Sequence, residues 1–185
     1  MDNETAIEVT RRWISSMVIG LNLCPFARRV FLADKIRYVV SEAQDEMALL
    51  TDLTTELQAL ASTAIATVET TLLIHPRALE NFLDYNDFLS VGERLVADLG
   101  LRDTVQIASF HPDYQFAGTG AGAVENYTNR APFPMLHLLR EESITKAVSD
   151  PNERLEIPRR NIETLRGLGR DNILEKLKAI EIGRP

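Results

Sequence analysis

Apolar residues recur along this chain at two different spacings, and each change of spacing marks the boundary of a predicted element. Positions 4–20 are apolar every three to four residues, which predicts an amphipathic helix that stops at Gly20. Pro25 then interrupts the pattern, because a proline disfavours the helical conformation of the residue before it. The next run, Ile36–Val40, is rich in aromatic and β-branched residues and predicts the first strand.

Two further helix-and-strand units follow this strand. Leucines at helical spacing predict a helix over 43–64, and the β-branched run after it predicts a strand over 68–74. Pro76 is a favourable first residue for the next helix, which closes at Gly100 before a third strand over 104–110. Because helical crossovers of this length usually join parallel strands, the sequence predicts an α/β fold with a small, mostly parallel sheet and a β-α-β-α-β core. An α+β ferredoxin-like fold, with antiparallel pairing through long returns, is the alternative.

The chain then loses its periodicity over 111–131, a stretch rich in glycine, tyrosine and asparagine. Structureless segments of about twenty residues are unusual inside a compact domain and are often functional. Pro132 and Pro134 introduce a leucine-rich segment that predicts a helix to about Val148, followed by a break at 149–151.

Two closing helices are predicted over 158–168 and 171–180, with glycines between them. Their polar composition is typical of helices at the periphery of a fold. A length of 185 residues suits one compact unit. We therefore expect a single domain over 1–185, with an α/β core over 1–150 and a peripheral helical extension over 151–185.

The distribution of charge restricts the partners of this protein. The net charge is −7, and residues 41–100 hold eleven acidic side chains against two arginines. Nucleic acids and anionic membranes are therefore unexpected partners, because both need a basic surface. A small anion remains a candidate ligand, because arginines gather elsewhere, at Arg28, Arg29, Arg37, Arg130 and Arg140.

The composition also predicts a cellular compartment. No apolar run approaches the roughly 20 residues that cross a bilayer. The acidic first residues lack the basic and apolar regions of a signal peptide. The one cysteine, Cys24, excludes an internal disulfide and fits a reducing compartment. We expect a soluble, cytoplasmic protein, whereas its cofactors and oligomeric state stay open.

Two predicted strands end in the same dipeptide, His75-Pro76 and His111-Pro112. If the strands are parallel, both imidazoles lie at the carboxyl edge of the sheet, where open α/β folds bind ligands. Histidine titrates near neutrality, so the pair predicts proton transfer or metal ligation. The alternative is that each imidazole bonds to neighbouring backbone, and an intervening strand would separate the rings by about 10 Å.

The residues after His111 extend this candidate site. Asp113 is a candidate to orient a histidine or accept a proton, and Tyr114 to donate a hydrogen bond to a developing anion. An ordinary Pro-Asp turn is the alternative for Asp113. Asn129 and Arg130 precede the next predicted helix, where an arginine is suited to bind a carboxylate or phosphate.

Cys24 is a candidate nucleophile in the turn after the first helix. A reactive thiolate needs a lowered pKa, which Arg28, Arg29 or a histidine could supply. The alternative is a cysteine packed between Leu23 and Phe26. Cys24 joins the histidine site only if this turn folds onto the same edge.

Two other features have weaker functional interpretations. The segment 118–122 is glycine-rich but matches neither a Walker loop nor a dinucleotide fingerprint, so a lid or hinge is the better interpretation. His137 and Glu141 are four residues apart, which on a helix predicts a surface contact more readily than a metal pair. A site of all three histidines would hold a metal, and this stays an open alternative.

Four segments resemble one family. They are Gly20-Leu-Asn-Leu-Cys-Pro-Phe-Ala27, Ile36-Arg-Tyr-Val-Val40, Ser109-Phe-His-Pro-Asp-Tyr-Gln-Phe-Ala117 and Asn129-Arg-Ala-Pro-Phe-Pro-Met-Leu-His-Leu-Leu-Arg-Glu141. The chain resembles a bacterial family known as domain of unknown function 1415 over nearly its whole length. The resemblance implies a single-domain soluble bacterial protein. It implies no reaction, cofactor or catalytic residue.

The residues themselves suggest three functions. The first is a small enzyme, a hydrolase or transferase, that acts on a small anionic metabolite through His111, His75, Asp113 and Cys24, with Arg130, Tyr114 and Asn129 binding the substrate. The second is a metal-dependent enzyme with histidine ligands. The third is a non-catalytic scaffold, for which an exposed apolar patch near Phe116, Tyr127 and Phe133 would be evidence.

Overall fold

Most of the secondary-structure elements in the described residues are helices. The structure is a computed structural model that describes residues 2–148 and 151–182, and at 151–154 and 181–182 it describes the backbone alone. Its α-helices are α1 (Asn3–Trp13), α2 (Ala27–Leu32), α3 (Glu46–Ser62), α4 (Phe82–Asp98), α5 (Glu141–Ala147), α6 (Pro151–Leu168) and α7 (Arg170–Ile182). A π-helix over Ile14–Ile19 continues α1, and a 3-10 helix covers Val124–Thr128.

Four strands form one open, mixed sheet: β1 (Ile36–Val40), β2 (Thr70–Ile74), β3 (Val105–Phe110) and β4 (Met135–Arg140). Their order across the sheet is β1-β2-β4-β3. The pair β1–β2 is parallel, but β4 is antiparallel to both of its neighbours. The expected α/β class is confirmed in its coarse form. The expectation of a mostly parallel sheet is not confirmed, because two of the three strand pairs are antiparallel.

Strand β4 replaces the front half of a predicted helix. The segment after Pro134 was expected to be helical to Val148, but Met135–Arg140 is a strand and only Glu141–Ala147 is a helix. Helices cover both faces of the sheet at this strand, so five of its six side chains are buried. A strand buried on both faces is an unbroken apolar run, which has no alternating pattern to separate it from a buried helix.

Helix boundaries follow local capping. Helix α4 begins six residues after Pro76, where the Asn81 Oδ1 accepts a hydrogen bond from the Leu83 backbone N–H at 2.8 Å. Its predicted end is confirmed, because Gly100 has φ +70° just after the helix and its N–H donates to the Ala97 carbonyl oxygen. Helix α6 continues through Pro158 rather than starting there. The fixed φ of proline is compatible with a helix, although the residue lacks the backbone N–H of the other interior positions.

Each face of the sheet is covered by helices. One core, between the sheet and helices α3 and α4, contains the buried leucines of α3 with Leu73, Leu136 and Leu138. The second core lies between the opposite face and α1, the π-helix, α6 and α7. The alternation of side chains along β2 and β4 puts successive residues into different cores.

The carboxyl-terminal helices contribute to the second core. Leu165 of α6 and Ile173 of α7 are fully buried there. The predicted break at 149–151 includes Ser149 and Asp150, which lie outside the described residues. In the described part of the chain, each helix is too short or too polar to cross a membrane.

Candidate functional site

The two strand-end histidines lie at one end of the sheet. His75 follows β2 and His111 follows β3, and the first residue of β4 is paired with the last residue of both strands. Both imidazoles pack on Tyr85 of α4, with ring centroids 5.8 Å from His75 and 5.1 Å from His111. The side chains therefore belong to one cluster, although β4 separates the strands that carry them.

Hydrogen bonds to backbone occupy most of the nitrogens of these imidazoles. His75 Nδ1 lies 2.9 Å from the Ala78 carbonyl oxygen. His111 Nε2 lies 3.2 Å from the Leu79 carbonyl oxygen, and His111 Nδ1 accepts from the Asp113 N–H at 3.0 Å. Carbonyl oxygens only accept, so the proton lies on Nδ1 of His75 and on Nε2 of His111. Within the described residues His75 Nε2 is buried and has no partner.

Burial keeps both imidazoles neutral. The pKa of His75 is lowered to about 4, mainly by burial and further by the nearby His111. Burial also lowers the pKa of His111, against the opposing effects of the Leu79 carbonyl and of Asp113. Neither histidine is accessible to solvent. In the folded protein, the two imidazoles pack in the interior and bond to the turns after β2 and β3. A substrate could reach them only if this end of the sheet opened.

The remaining residues expected at this edge lie around the loop. Asp113 is exposed, and Tyr114 packs its ring 5.2 Å from that of Phe82. Asn129 donates through Nδ2 to the Ser109 carbonyl oxygen at 3.0 Å. Arg130 donates from Nε to the Tyr114 carbonyl oxygen at 3.1 Å and from Nη2 to that of Ala121 at 2.8 Å. Arg130 thus ties together two parts of the glycine-containing loop.

The patch proposed for a scaffold is largely buried. Tyr127 and Phe133 are 4% and 6% exposed, and Phe116 is half-buried. Tyr127 stacks under the Arg130 guanidinium, whose central carbon lies 4.6 Å from the ring centroid. These aromatic side chains therefore stabilise the loop from inside.

A cavity lies on the opposite face of the sheet, under the π-helix. Its volume is about 70 Å³. It runs from the middle of the sheet toward the amino end of β2. Most of its lining is apolar, and the side chains around it are Trp13, Ile14, Val18, Cys24, Phe26, Ala27, Val30, Ile36, Glu69, Thr70, Leu72, Phe110, His137, Leu139 and Ser143. We call this space the apolar cavity.

His137 supplies a polar atom to the wall of this cavity. Its Nε2 lies 2.7 Å from Thr70 Oγ1, which in turn lies 2.6 Å from the Leu138 carbonyl oxygen. The single hydroxyl proton of Thr70 goes to that carbonyl, so His137 Nε2 carries a proton and donates it to Thr70. His137 Nδ1 is then the unprotonated acceptor nitrogen of the ring. Burial lowers the pKa of His137 to about 4, which keeps the ring neutral.

Cys24 lines the apolar cavity, so it does not join His75 and His111. The turn at 21–26 packs on the α1 side of the sheet, whereas those histidines pack on α4. Burial raises the pKa of the Cys24 thiol. Arg29, one of the expected activators of this thiol, instead forms an ion pair with Glu69. The structure therefore holds Cys24 as a protonated thiol at neutral pH.

The three histidines do not converge. His137 lies in strand β4 and not on a helix, so the predicted helical contact with Glu141 is wrong. Its side chain also faces away from His75 and His111, across the sheet. Over residues 2–148 and 151–182 no group of three His, Cys, Asp or Glu side chains is arranged to hold a metal ion.

The comparisons with known proteins identify a family. The model of the family described as "Protein of unknown function (DUF1415)" matches residues 5–175. The chain belongs to this family. No curated protein and no solved structure was found to match it. For this DUF1415 member, function therefore has to be inferred from its own residues.

The sequence did not reveal that the residues around the apolar cavity lie close together. Thr70 and Ser143 belong to elements more than sixty residues apart, and each has an ordinary local context. One signal was present: His137 is the only polar residue within the apolar run Met135–Leu139. A polar residue inside a run that is buried on both faces needs a partner, and Thr70 is that partner here.

Proposed function

We propose that this DUF1415 protein binds a small molecule whose short apolar body occupies the apolar cavity. The observation that carries the proposal is the cavity itself, a space of about 70 Å³ whose wall is almost entirely apolar. Small-molecule sites are typically apolar spaces with a few polar groups that orient the ligand. Such a wall favours a ligand whose buried part is apolar.

The helix above the cavity supports a binding role. Ile14 and Val18 belong to a π-helix of six residues. π-helical turns are rare and occur frequently at functional sites. This one lies between α1 and the turn that contains Cys24, and its Ile14 and Val18 line the cavity together with His137.

The size of the cavity limits the ligand. At about 70 Å³ it is smaller than the space that an engineered protein offers to benzene, about 150 Å³. A short alkyl chain, whose bonds rotate to follow the available space, therefore suits the cavity better than a rigid ring. We take 1-pentanol as the probe, because it combines such a chain with a small uncharged polar end.

An NMR titration of the ¹⁵N-labelled full chain with 1-pentanol tests the proposal. We expect saturable amide shifts at Val18, Ala27 and His137. Ala27→Leu fills the cavity and should abolish them, whereas Ala33→Leu, at an exposed position just after the same helix, should leave them intact. Linear shifts at these residues, or saturation that Ala27→Leu does not change, would contradict the proposal.

A second candidate function is the small enzyme with the strand-end histidines. The observation in its favour is His75 Nε2, a buried acceptor without a described partner beside a second neutral imidazole. Its substrate would be a small anionic metabolite, with Arg130 as the binding group, in a cytoplasmic bacterial protein. Because both rings are buried, this function needs the end of the sheet to open.

Diethyl pyrocarbonate measures that opening, because it modifies neutral imidazoles that solvent can reach. Peptide mass spectrometry of the native protein should find the modification at His75 or His111 if the enzyme hypothesis holds. If neither histidine is modified until the protein unfolds, no substrate reaches this edge and the hypothesis is wrong.

A further inference from the structure

A second depression adjoins the apolar cavity at Glu69. It is an open groove of about 460 Å³, lined by Arg29, Lys35, Ile65, Ala66, Glu69, Lys146 and Ala147. Glu69 lines both spaces, so one side chain forms the wall between them. We call the second space the basic groove.

The charges around this groove are unusual for so acidic a chain. Three cations line it, Arg29, Lys35 and Lys146, together with one carboxylate, that of Glu69. Glu69 pairs with Arg29, and Lys146 pairs with Glu142. The positive charge of Lys35 therefore remains uncompensated within this set, in a protein whose net charge is −7. An excess of cations in a concave space attracts small anions.

The wall between the two spaces is polar and incompletely bonded. The Arg29 Nη1 donates to Glu69 Oε2 at 3.0 Å. Burial alone would raise the pKa of Glu69, but Arg29, Ser143 and Lys35 together hold it below its usual value. The Glu69 carboxyl is therefore ionised. Ser143 Oγ is buried close to this carboxylate and lowers its pKa, although the contact does not reach full hydrogen-bond geometry within the described residues.

We propose that the natural ligand is a short-chain carboxylate, with its alkyl group in the apolar cavity and its carboxylate in the basic groove against Arg29. This inference rests on the proposed binding function and specifies the class of ligand. The ion pair between Glu69 and Arg29 is a model for this interaction, because the Glu69 carboxylate binds the same guanidinium group that the carboxylate of the ligand would bind. Arginine is suited to this exchange, since its planar group binds carboxylates through two parallel hydrogen bonds.

Ser143 provides a donor for the same carboxylate. Its hydroxyl lies close enough to the Glu69 carboxylate to lower the pKa of that group, and the residue lines the apolar cavity. A carboxylate at the wall would accept from both Arg29 and Ser143, and it would displace Glu69 toward Lys35. The ligand thus gives Ser143 a well-formed hydrogen bond in place of its imperfect contact with Glu69.

Parallel NMR titrations with pentanoate and 1-pentanol test the proposal on the full chain. We expect pentanoate to bind about tenfold more tightly than 1-pentanol, because only the acid meets the cations. Lys35→Gln/Lys146→Gln should remove most of that difference and leave 1-pentanol binding unchanged. Lys176→Gln, which removes an exposed cation of α7, is the matched control and should change neither affinity.

Glu69→Gln gives a result of opposite sign. It removes the internal carboxylate that competes for Arg29, so the affinity for pentanoate should rise severalfold. The affinity for 1-pentanol should not rise with it, because an uncharged ligand does not compete for Arg29. A loss of pentanoate binding in Glu69→Gln, with the spectrum of a folded protein, would overturn the proposed exchange.

The remaining outcomes separate this inference from the function on which it rests. If 1-pentanol saturates the cavity but pentanoate binds no more tightly, the carboxylate class is wrong and the cavity remains a binding site. If pentanoate binds equally well to Ala27→Leu and inorganic phosphate displaces it, the basic groove binds anions alone and the two-part site is wrong. If neither probe saturates, both proposals fail.

Discussion

His75 and His111 lie on the same phenol ring, although strand β4 runs between the strands that present them. The ring belongs to Tyr85, whose hydroxyl donates to the Met135 carbonyl oxygen and accepts from the Phe110 N–H, both at 2.9 Å. One side chain therefore joins the ends of β3 and β4 and separates the two imidazoles.

Tyr85→Phe should destabilise the fold. It removes the hydroxyl and leaves a buried N–H and a carbonyl group without that partner, at a cost of about 1–3 kcal/mol in the free energy of unfolding. Urea denaturation measures this quantity. Tyr38→Phe is the control, because the Tyr38 hydroxyl is buried and has no described partner, so its removal should be neutral or stabilising. Equal losses in the two variants would contradict the assigned role of Tyr85.

Stability should fall as the pH is lowered from about 6.5 to about 4. The pKa of His137 is about 4 in the folded protein, whereas a histidine in an unfolded chain titrates near 6.5. Between these values the unfolded chain binds more protons, so acid favours unfolding. His75 acts in the same direction and over the same range.

His137→Gln should flatten this dependence. The variant removes one titrating group, so the slope of the unfolding free energy against pH should decrease by up to about 1.4 kcal/mol per pH unit. Denaturation curves at several pH values between 4 and 7 measure the slope. A slope equal to that of the natural chain would show that His137 is not held neutral by burial.

Gly20→Ala should destabilise the junction after the π-helix. A β-carbon at Gly20 would overlap the Ser16 carbonyl oxygen, and this backbone atom cannot move without changing the helix. The expected cost is about 1–3 kcal/mol, typical of overpacking. Gly120→Ala is the matched control, since nothing lies within 4 Å of that position. Thermal denaturation should separate the two variants, and equal midpoints would contradict the close approach at Gly20.

Arg130→Gln should loosen the loop over 111–131. The guanidinium bonds to the carbonyl oxygens of Tyr114 and Ala121, and the variant loses both contacts. Hydrogen exchange of the loop amides should accelerate at least tenfold, because even one bond to a charged donor contributes about 1.5–3 kcal/mol locally. Arg102→Gln, at an exposed site, should not change these rates. Unchanged exchange in Arg130→Gln would show that other contacts order the loop.

The sequence predicted most elements because their signals are local. Strands at Ile36–Val40, Thr70–Ile74 and Val105–Phe110 have β-branched runs with breaks on either side, and Gly20 and Gly100 end helical segments as expected. Strand β4 was missed because its apolar run follows two prolines, a context that equally favours the start of a helix. Because β4 was not predicted, the two antiparallel strand pairs were not predicted either, since both of them include this strand.

The candidate site was only partly predictable. The shared His-Pro endings correctly indicated that His75 and His111 lie at one end of the sheet, but their burial depends on Tyr85, from a helix whose start was misplaced. The apolar cavity depends on how the π-helix packs over β2 and β4. No local sequence pattern predicts this packing. Cys24 and His137 were therefore considered separately, although both line the apolar cavity.

Intermolecular nuclear Overhauser contacts between bound pentanoate and the protein test the central claim most directly. The account predicts contacts from the terminal methyl group of pentanoate to the methyl groups of Val18 and Val30, and from its α-methylene group to Ser143. These contacts should disappear in Ala27→Leu. Contacts confined to surface residues, or none at saturating pentanoate, would contradict the claim that the apolar cavity is the binding site of this protein.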